Sequence, residues 1–188
     1  MRKLAVFNSV SLDGYFSGEK GDLGWAHTGH DDAEFNAFIQ GNASSGGELL
    51  FGRITYELMA SYWPTPNAMK TDPIVAKGMN SAPKIVFSKT LDKASWNNTK
   101  VIKGNIASEI RSMKKVPGEG MVIFGSGSII SQLASEDLID EYQFVLTPVV
   151  LGKGRTMFEG IKKRLQLKLT KTRSFRNGKV FICYEPTA

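Results

Sequence analysis

Short apolar runs, each about one strand long, alternate along this chain with stretches of helical periodicity. That alternation limits the fold more than any other feature. The runs are Leu4–Val10, Leu49–Phe51, Ile85–Phe87, Met121–Phe124 and Tyr142–Leu146. Between them, Phe35, Phe38 and Ile39 share one face of a helix over 31–41, and a second helix starts at Arg53 and ends before Pro64. Asn105 is placed to cap a third, in which Ile106, Ile110 and Met113 recur at i, i+4 and i+7 until Pro117-Gly118 stops it. Ile129, Ile130 and Leu133 mark a fourth over 127–135. The proline-rich segment 62–83 reads as a loop with a short helix at 72–79. Strand–helix–strand order of this kind predicts a mainly parallel sheet with helices on both faces.

The chain closes differently. Two strand-like stretches, about 164–175 and 179–185, meet at Asn177-Gly178. Both residues tolerate positive φ, so the pair signals a hairpin. Leu165, Leu167 and Leu169 alternate with Gln166, Lys168 and Thr170, which predicts a strand with one buried face. An antiparallel hairpin beside a parallel sheet gives an α/β fold of three layers, α/β/α, around a mixed, mainly parallel central sheet. At 188 residues the whole chain, 1–188, fits a single domain.

Composition removes several classes of function. Hydrophobic residues make up 41% and charged residues 22%, as in ordinary globular domains, so a disordered chain is excluded. No apolar stretch reaches 18 residues, and the start, MRKLAVFNSVSLDG, has too short an apolar run for a signal peptide. The single cysteine, Cys183, rules out a disulfide framework and suits a cytoplasmic location; in the last strand it reads as a small buried hydrophobe. The net charge of +6 is concentrated late, with ten Lys/Arg and only Glu159 opposing them in 153–179. These charges alternate with apolar residues and lack an aromatic stacking pattern. They read as a solvated strand face, with neither nucleic acid nor membrane as the expected partner.

Three strand ends carry candidate chemistry. Phe51 leads into Gly52-Arg53-Ile54-Thr55, Phe87 into Ser88-Lys89-Thr90, and Phe124 into Gly125-Ser126-Gly127-Ser128. Ligands of open α/β sheets bind outside the carboxyl ends of strands, and a helix N-terminus offers free N–H groups to phosphate. Glycine permits close backbone approach, while Arg53 and Lys89 supply positive charge. Any one of these turns alone is ordinary capping; the three together favour a site for a phosphorylated nucleotide. Standard fingerprints are absent: Ile130 stands where the dinucleotide motif needs its third glycine, and Gly152-Lys153-Gly154 is no P-loop. His27 and His30 form a His-x-x-His pair beside Asp31 and Asp32, but catalytic zinc takes three protein ligands, so no metal is expected. Asp13, in Ser11-Leu12-Asp13-Gly14, either caps a turn or faces a pocket, and Asp31 and Asp32 open a helix. An acid facing an apolar pocket can hold and help protonate a polarised heterocycle.

Taken in order, Ser11–Gly14, Phe51–Glu57, Lys84–Leu91, Phe124–Ser128, Leu138–Glu141 and Pro148–Gly154 leading to Phe158 resemble the dihydrofolate reductase-like superfamily. The nearer likeness is to the riboflavin-biosynthesis reductase (RibD C-terminal) domain and its stand-alone bacterial relatives. The resemblance implies a dihydrofolate reductase-like fold with NADPH across the sheet ends. Gly52, Arg53 and Thr55 would hold cofactor phosphates, and Ser88 and Lys89 would sit by the adenosine ribose. Gly125, Ser126, Gly127, Ser128 and Ile129 would wrap the pyrophosphate, with the nicotinamide near Val10. On the substrate side it implies Trp25, Asp31 and Phe35, with Asp13 and Phe158 also at the pocket, Asp31 or Asp13 as the acid, and Asp32 as a rival. The implied activity is hydride transfer to a C=N or C=O of a small, heterocyclic substrate such as dihydrofolate or a riboflavin precursor. The alternative is a nucleotide-binding module without catalysis. The resemblance also implies a homodimer, with Val145, Val149 and Leu151 at a strand-mediated contact.

Overall fold

A computed structural model describes residues 1–28 and 32–187. Ten strands and six α-helices are present among them, with short 3-10 turns at Glu19–Gly21 and Gly24–His27: β1 (Leu4–Ser11), β2 (Tyr15–Ser17), α1 (Ala33–Ser44), β3 (Glu48–Gly52), α2 (Arg53–Tyr62), α3 (Pro66–Thr71), α4 (Pro73–Ser81), β4 (Lys84–Phe87), β5 (Thr99–Ile102), α5 (Ile106–Lys115), β6 (Met121–Phe124), α6 (Gly127–Ser135), β7 (Glu141–Thr147), β8 (Arg155–Thr156), β9 (Leu167–Ser174) and β10 (Val180–Pro186). Eight strands form one sheet in the order β5-β4-β3-β6-β1-β7-β10-β9. The first six run parallel; β10 is antiparallel to β7 and to β9. Strands β2 and β8 make a separate ribbon.

Alternation within the strands builds the layers. On one face Leu4, Val6, Leu50, Ile85, Phe87, Met121 and Ile123 bury against Ile110 of α5 and Ile130 and Leu133 of α6. On the other, Leu49, Phe51 and Val86 meet Tyr56 of α2 and Val75 and Met79 of α4. Farther along that face, Val145, Phe181 and Cys183 pack with Phe35 and Phe38 of α1. Parallel strands buried on both faces read as continuous apolar runs, which is why this part of the sheet was visible in the sequence. The mixed three-layer α/β/α architecture stands as expected.

Four details differ. Strand β5, Thr99–Ile102, carries too little apolar character to stand out, and is a strand because it completes β4. The proline-rich segment forms two helices, α3 and α4, each with a proline at its start, where the missing N–H costs nothing. Strand β9 has no buried face: Lys168 to Ser174 are exposed, Leu169 at 48%, because β9 is the outer strand of the sheet; Leu167 at its start packs on the core and Arg173 reaches Glu34 of α1. Its hairpin loop is one residue longer than a two-residue Asn-Gly turn. Gly178 (φ +81°) alone takes the left-handed conformation, Phe175 N–H donates to Lys179 O at 2.9 Å and Gly178 N–H to Phe175 O at 3.0 Å. That is a three-residue loop with a bulge.

Val145 has no free strand edge to offer the expected self-contact. β7 lies between β1 and β10, so both its edges are paired, and Val145 is 1% exposed in the core. The free edges of the sheet are β5 and β9.

Candidate functional site

The site begins with two helices that lack caps. α2 starts at Gly52, which has no side chain to cap with, and α6 starts at Ser126, whose side chain does not cap it. The Ser126 hydroxyl is used elsewhere: it accepts the Gly52 N–H at 2.7 Å and lies 3.2 Å from the Thr55 hydroxyl. By contrast α1, α3 and α5 are capped by Asp32, Thr65 and Asn105, while α4, preceded by Asp72, also lacks a side-chain cap. The turns after β3 and β6 therefore interlock, and both helices leave first-turn N–H groups open to an incoming anion.

This interlock explains the glycines. A Cβ on Gly52 would stand 2.5 Å from Ser126 Oγ, and one on Gly125 would stand 2.6 Å from Thr55 Oγ1. Gly125 and Ser126 are consecutive left-handed residues, with φ of +60° and +54°. Turn-to-turn packing thus demands glycine before any ligand is considered. Asn8, on the central strand β1, fixes the pair: its Oδ1 accepts the Gly125 N–H at 2.7 Å. The sequence reading missed Asn8, although a buried polar residue inside an apolar run was a signal.

A cleft of about 1700 Å³ opens over these turns, roughly beyond the 300–1000 Å³ usual for one small ligand. Gly52, Arg53, Thr55, Gly125, Ser126, Gly127, Ser128 and Ile129 all line it. The structure gathers this part of the expected cofactor set in one place. Ile129 is 3% exposed and serves mainly in the core. Arg53 pairs with Glu57 one turn on at 3.1 Å, with both side chains about half exposed. Ser88 and Lys89 line a separate hollow of about 220 Å³, which shares Phe87 and Ile106 with the cleft. The Ser88 hydroxyl also accepts the N–H groups of Thr90 and Leu91, holding its own turn. Val10 is not among the lining residues; its neighbours Phe7, Asn8 and Ser9 are.

The expected substrate residues scatter. Phe35 lines the cleft. Trp25 does not: it is 8% exposed and its indole N–H donates to Asp22 O. Phe158 leans on Tyr142 and Phe144, with ring centroids 6.0 and 6.3 Å away, and is also outside the cleft lining. Asp13 lies off the cleft and has an evident structural task. It accepts from the Ser11 hydroxyl at 2.7 Å and from the N–H groups of Gly152 and Leu151, which together hold its pKa below the usual carboxylate value. Asp32 is likewise committed. Its Oδ1 takes the N–H groups of Phe35 and Glu34, its Oδ2 takes that of Asn177, and these bonds lower its pKa. The carboxylate thus ties the start of α1 to the β9–β10 hairpin. Asp31 and His30 lie outside the described residues.

One cleft residue went unsuspected. Lys179 is 2% exposed and lines the cleft beside Phe35. Its ammonium donates to Ala26 O at 2.9 Å and sits 4.5 Å from the centre of the Phe35 ring, and burial lowers its pKa. No sequence pattern separates it from its exposed basic neighbours, because the hairpin bulge decides which way it points.

The model of the RibD C-terminal domain matches residues 2–181. The chain is 32% identical over 183 residues to the uncharacterized protein YyaP of Bacillus subtilis (strain 168), covering 97% of this chain and 94% of that one. Among solved structures, a putative riboflavin biosynthesis protein from Shewanella sp. PV-4 superimposes with a TM-score of 0.74 at 23% identity, covering 99% of both chains. Dihydrofolate reductase from Enterococcus faecalis, complexed with NADP(H) and RAB-propyl, gives a TM-score of 0.67 at 17% identity, covering 99% of this chain and 97% of that one.

Proposed function

Because this chain belongs to the RibD C-terminal domain family, we propose that it is an NADPH-dependent reductase that transfers a hydride to a C=N or C=O carbon of a small acceptor. One observation carries the reading: two helix N-termini left free of side-chain caps meet at adjacent strand ends, with Arg53 beside them. Such a cradle suits a pyrophosphate, since unpaired N–H groups and two helix dipoles converge on it. The residues that would hold NADPH are Gly52, Arg53 and Thr55 on one turn and Gly125 to Ser128 on the other. Lys89 and the small hollow would serve the adenosine end. The cofactor supplies the hydride; the protein aligns the acceptor and excludes water. The size of the cleft supports two ligands together.

Of the three acids expected from the sequence on the acceptor side, Asp13 and Asp32 are taken up by backbone N–H groups. Asp31 is therefore the acid we assign to orient the acceptor and support proton delivery. Asp31→Asn should lower turnover and leave NADPH affinity near wild type; unchanged turnover removes Asp31 from the mechanism.

The cofactor assignment is tested by titrating the protein with NADPH and NADH on tryptophan fluorescence, since Trp63 lines the cleft. NADPH should bind more tightly. Arg53→Ala should weaken NADPH about tenfold and NADH much less, because a charge-assisted hydrogen bond to the extra phosphate is lost. Equal losses would remove Arg53 from the 2′-phosphate. Saturable binding with no acceptor reduced, dihydrofolate included, would favour a binding module instead.

A further inference from the structure

Two lysines of this chain are almost fully buried, and they are satisfied very differently. Lys84, 1% exposed, gives its ammonium to three carbonyls: Ala82 at 2.6 Å, Asn97 at 3.1 Å and Asn80 at 3.2 Å. Three donors meet three acceptors, and Lys84 does not line the cleft. Lys179, 2% exposed, has one hydrogen-bond acceptor among the described residues, Ala26 O. The Phe35 ring face supports its charge, but two N–H donors remain. A buried ammonium with unmatched donors is costly unless a partner arrives.

The surroundings hold this donor in place. Asn177 Oδ1 accepts the Lys179 N–H at 3.0 Å, and Asn177 N–H donates to Asp32 at the start of α1. Phe35 sits on that same helix turn and packs edge-on against Phe175 of the hairpin, 5.1 Å between centroids. Lysine, ring and hairpin therefore form one rigid corner of the cleft.

We propose that Lys179 anchors an anionic oxygen of the acceptor, a carboxylate or a phosphate, with the acceptor's flat body against Phe35. The proposal rests on the reading that the cleft takes an acceptor beside its cofactor. It makes the substrate an acid, and it gives Lys179 a binding role.

The test uses full-length protein isotope-labelled at the lysine ε-carbons and followed by NMR. The Lys179 resonance is identified by its disappearance in Lys179→Arg. Sodium benzoate, phenyl phosphate and neutral benzamide are titrated in turn. One or both anions should shift the Lys179 resonance saturably while benzamide does not, and the tighter anion tells carboxylate from phosphate. In Lys179→Met, binding of that anion, read on tryptophan fluorescence, should weaken by at least about tenfold while NADPH affinity stays unchanged. No saturable shift with either anion, or an equal shift with benzamide, overturns the proposal. So does undiminished anion binding in a folded Lys179→Met. Should that variant not fold, the wild-type resonance decides alone. NADPH binding to wild type is scored separately, so failure of the cofactor reading leaves a different signature: no NADPH binding, with the Lys179 shift intact.

Discussion

Burial leaves the Lys84 ammonium with a pKa of about 8, against an ordinary 10.5. Between these values the unfolded chain binds more protons than the folded one, so stability rises with pH across that window. Urea denaturation should show a gain of roughly 2 kcal/mol from pH 8 to pH 10 due to Lys84, and Lys84→Met should reduce the rise to the part that buried Lys179, its pKa likewise lowered, contributes in the same sense. The range stops at pH 10 because Tyr142, pushed up to about 12 by burial and by Asp137, works in the opposite sense above it. Asp32 behaves in reverse to Lys84. Its carboxylate is held below the usual value, so its contribution is present at neutral pH and fades as acid protonates it. Asp32→Ala should lower the melting temperature by about 2–4 °C, and the deficit should shrink below pH 4. Neither role could be read from sequence. Asp32 was legible as a residue at a helix start, but not as the acceptor for a hairpin N–H donated by Asn177, 145 positions away. At Gly125 the sequence did speak. Gly125→Ala places a methyl 2.6 Å from Thr55 Oγ1 on a left-handed backbone, and should abolish NADPH binding in titration even where the protein folds.

Among the elements, α2 is the one that links core to cleft. Its Tyr56 is 1% exposed, and the hydroxyl accepts the Trp96 N–H at 2.8 Å. Tyr56→Phe leaves that N–H unmatched and should cost about 1–3 kcal/mol by urea denaturation. The loss would loosen the helix whose first turn forms half of the cradle. A change confined to stability, with the cradle's NADPH affinity intact in the folded fraction, would show that α2 is held by its apolar contacts instead. Helix boundaries were largely legible because proline, glycine and asparagine mark them: Asn105 does cap α5, accepting the Ser108 N–H at 3.0 Å. The ends of the sheet were less so. Short β5 takes strand conformation from β4, with which it pairs, while β9 was legible as a strand by its alternation but not as an exposed one, since the elements packed on a strand decide its burial.

On the scale of the molecule, the cleft lies where β3, β6 and β1 end side by side, although these strands are far apart in the chain. A ligand bound there bridges several elements and should stabilise the whole domain. NADPH at a hundred times its dissociation constant should add about 2.7 kcal/mol to the unfolding free energy, seen as a raised melting temperature. An equal shift with NADH at the same concentration would argue against recognition of the extra phosphate. By itself the sequence determined the layers, the mainly parallel order and the turns able to form an anion cradle. Those features follow from local periodicity and from residues with distinctive backbone preferences. Only the tertiary structure decided which polar groups are spent and which are left over. It uses Ser126, Asp13 and Asp32 to satisfy backbone N–H groups, and leaves Lys179 with donors to spare on the cleft wall. A side chain's availability depends on what else reaches it, and those partners come from strands and loops that meet only when the chain folds.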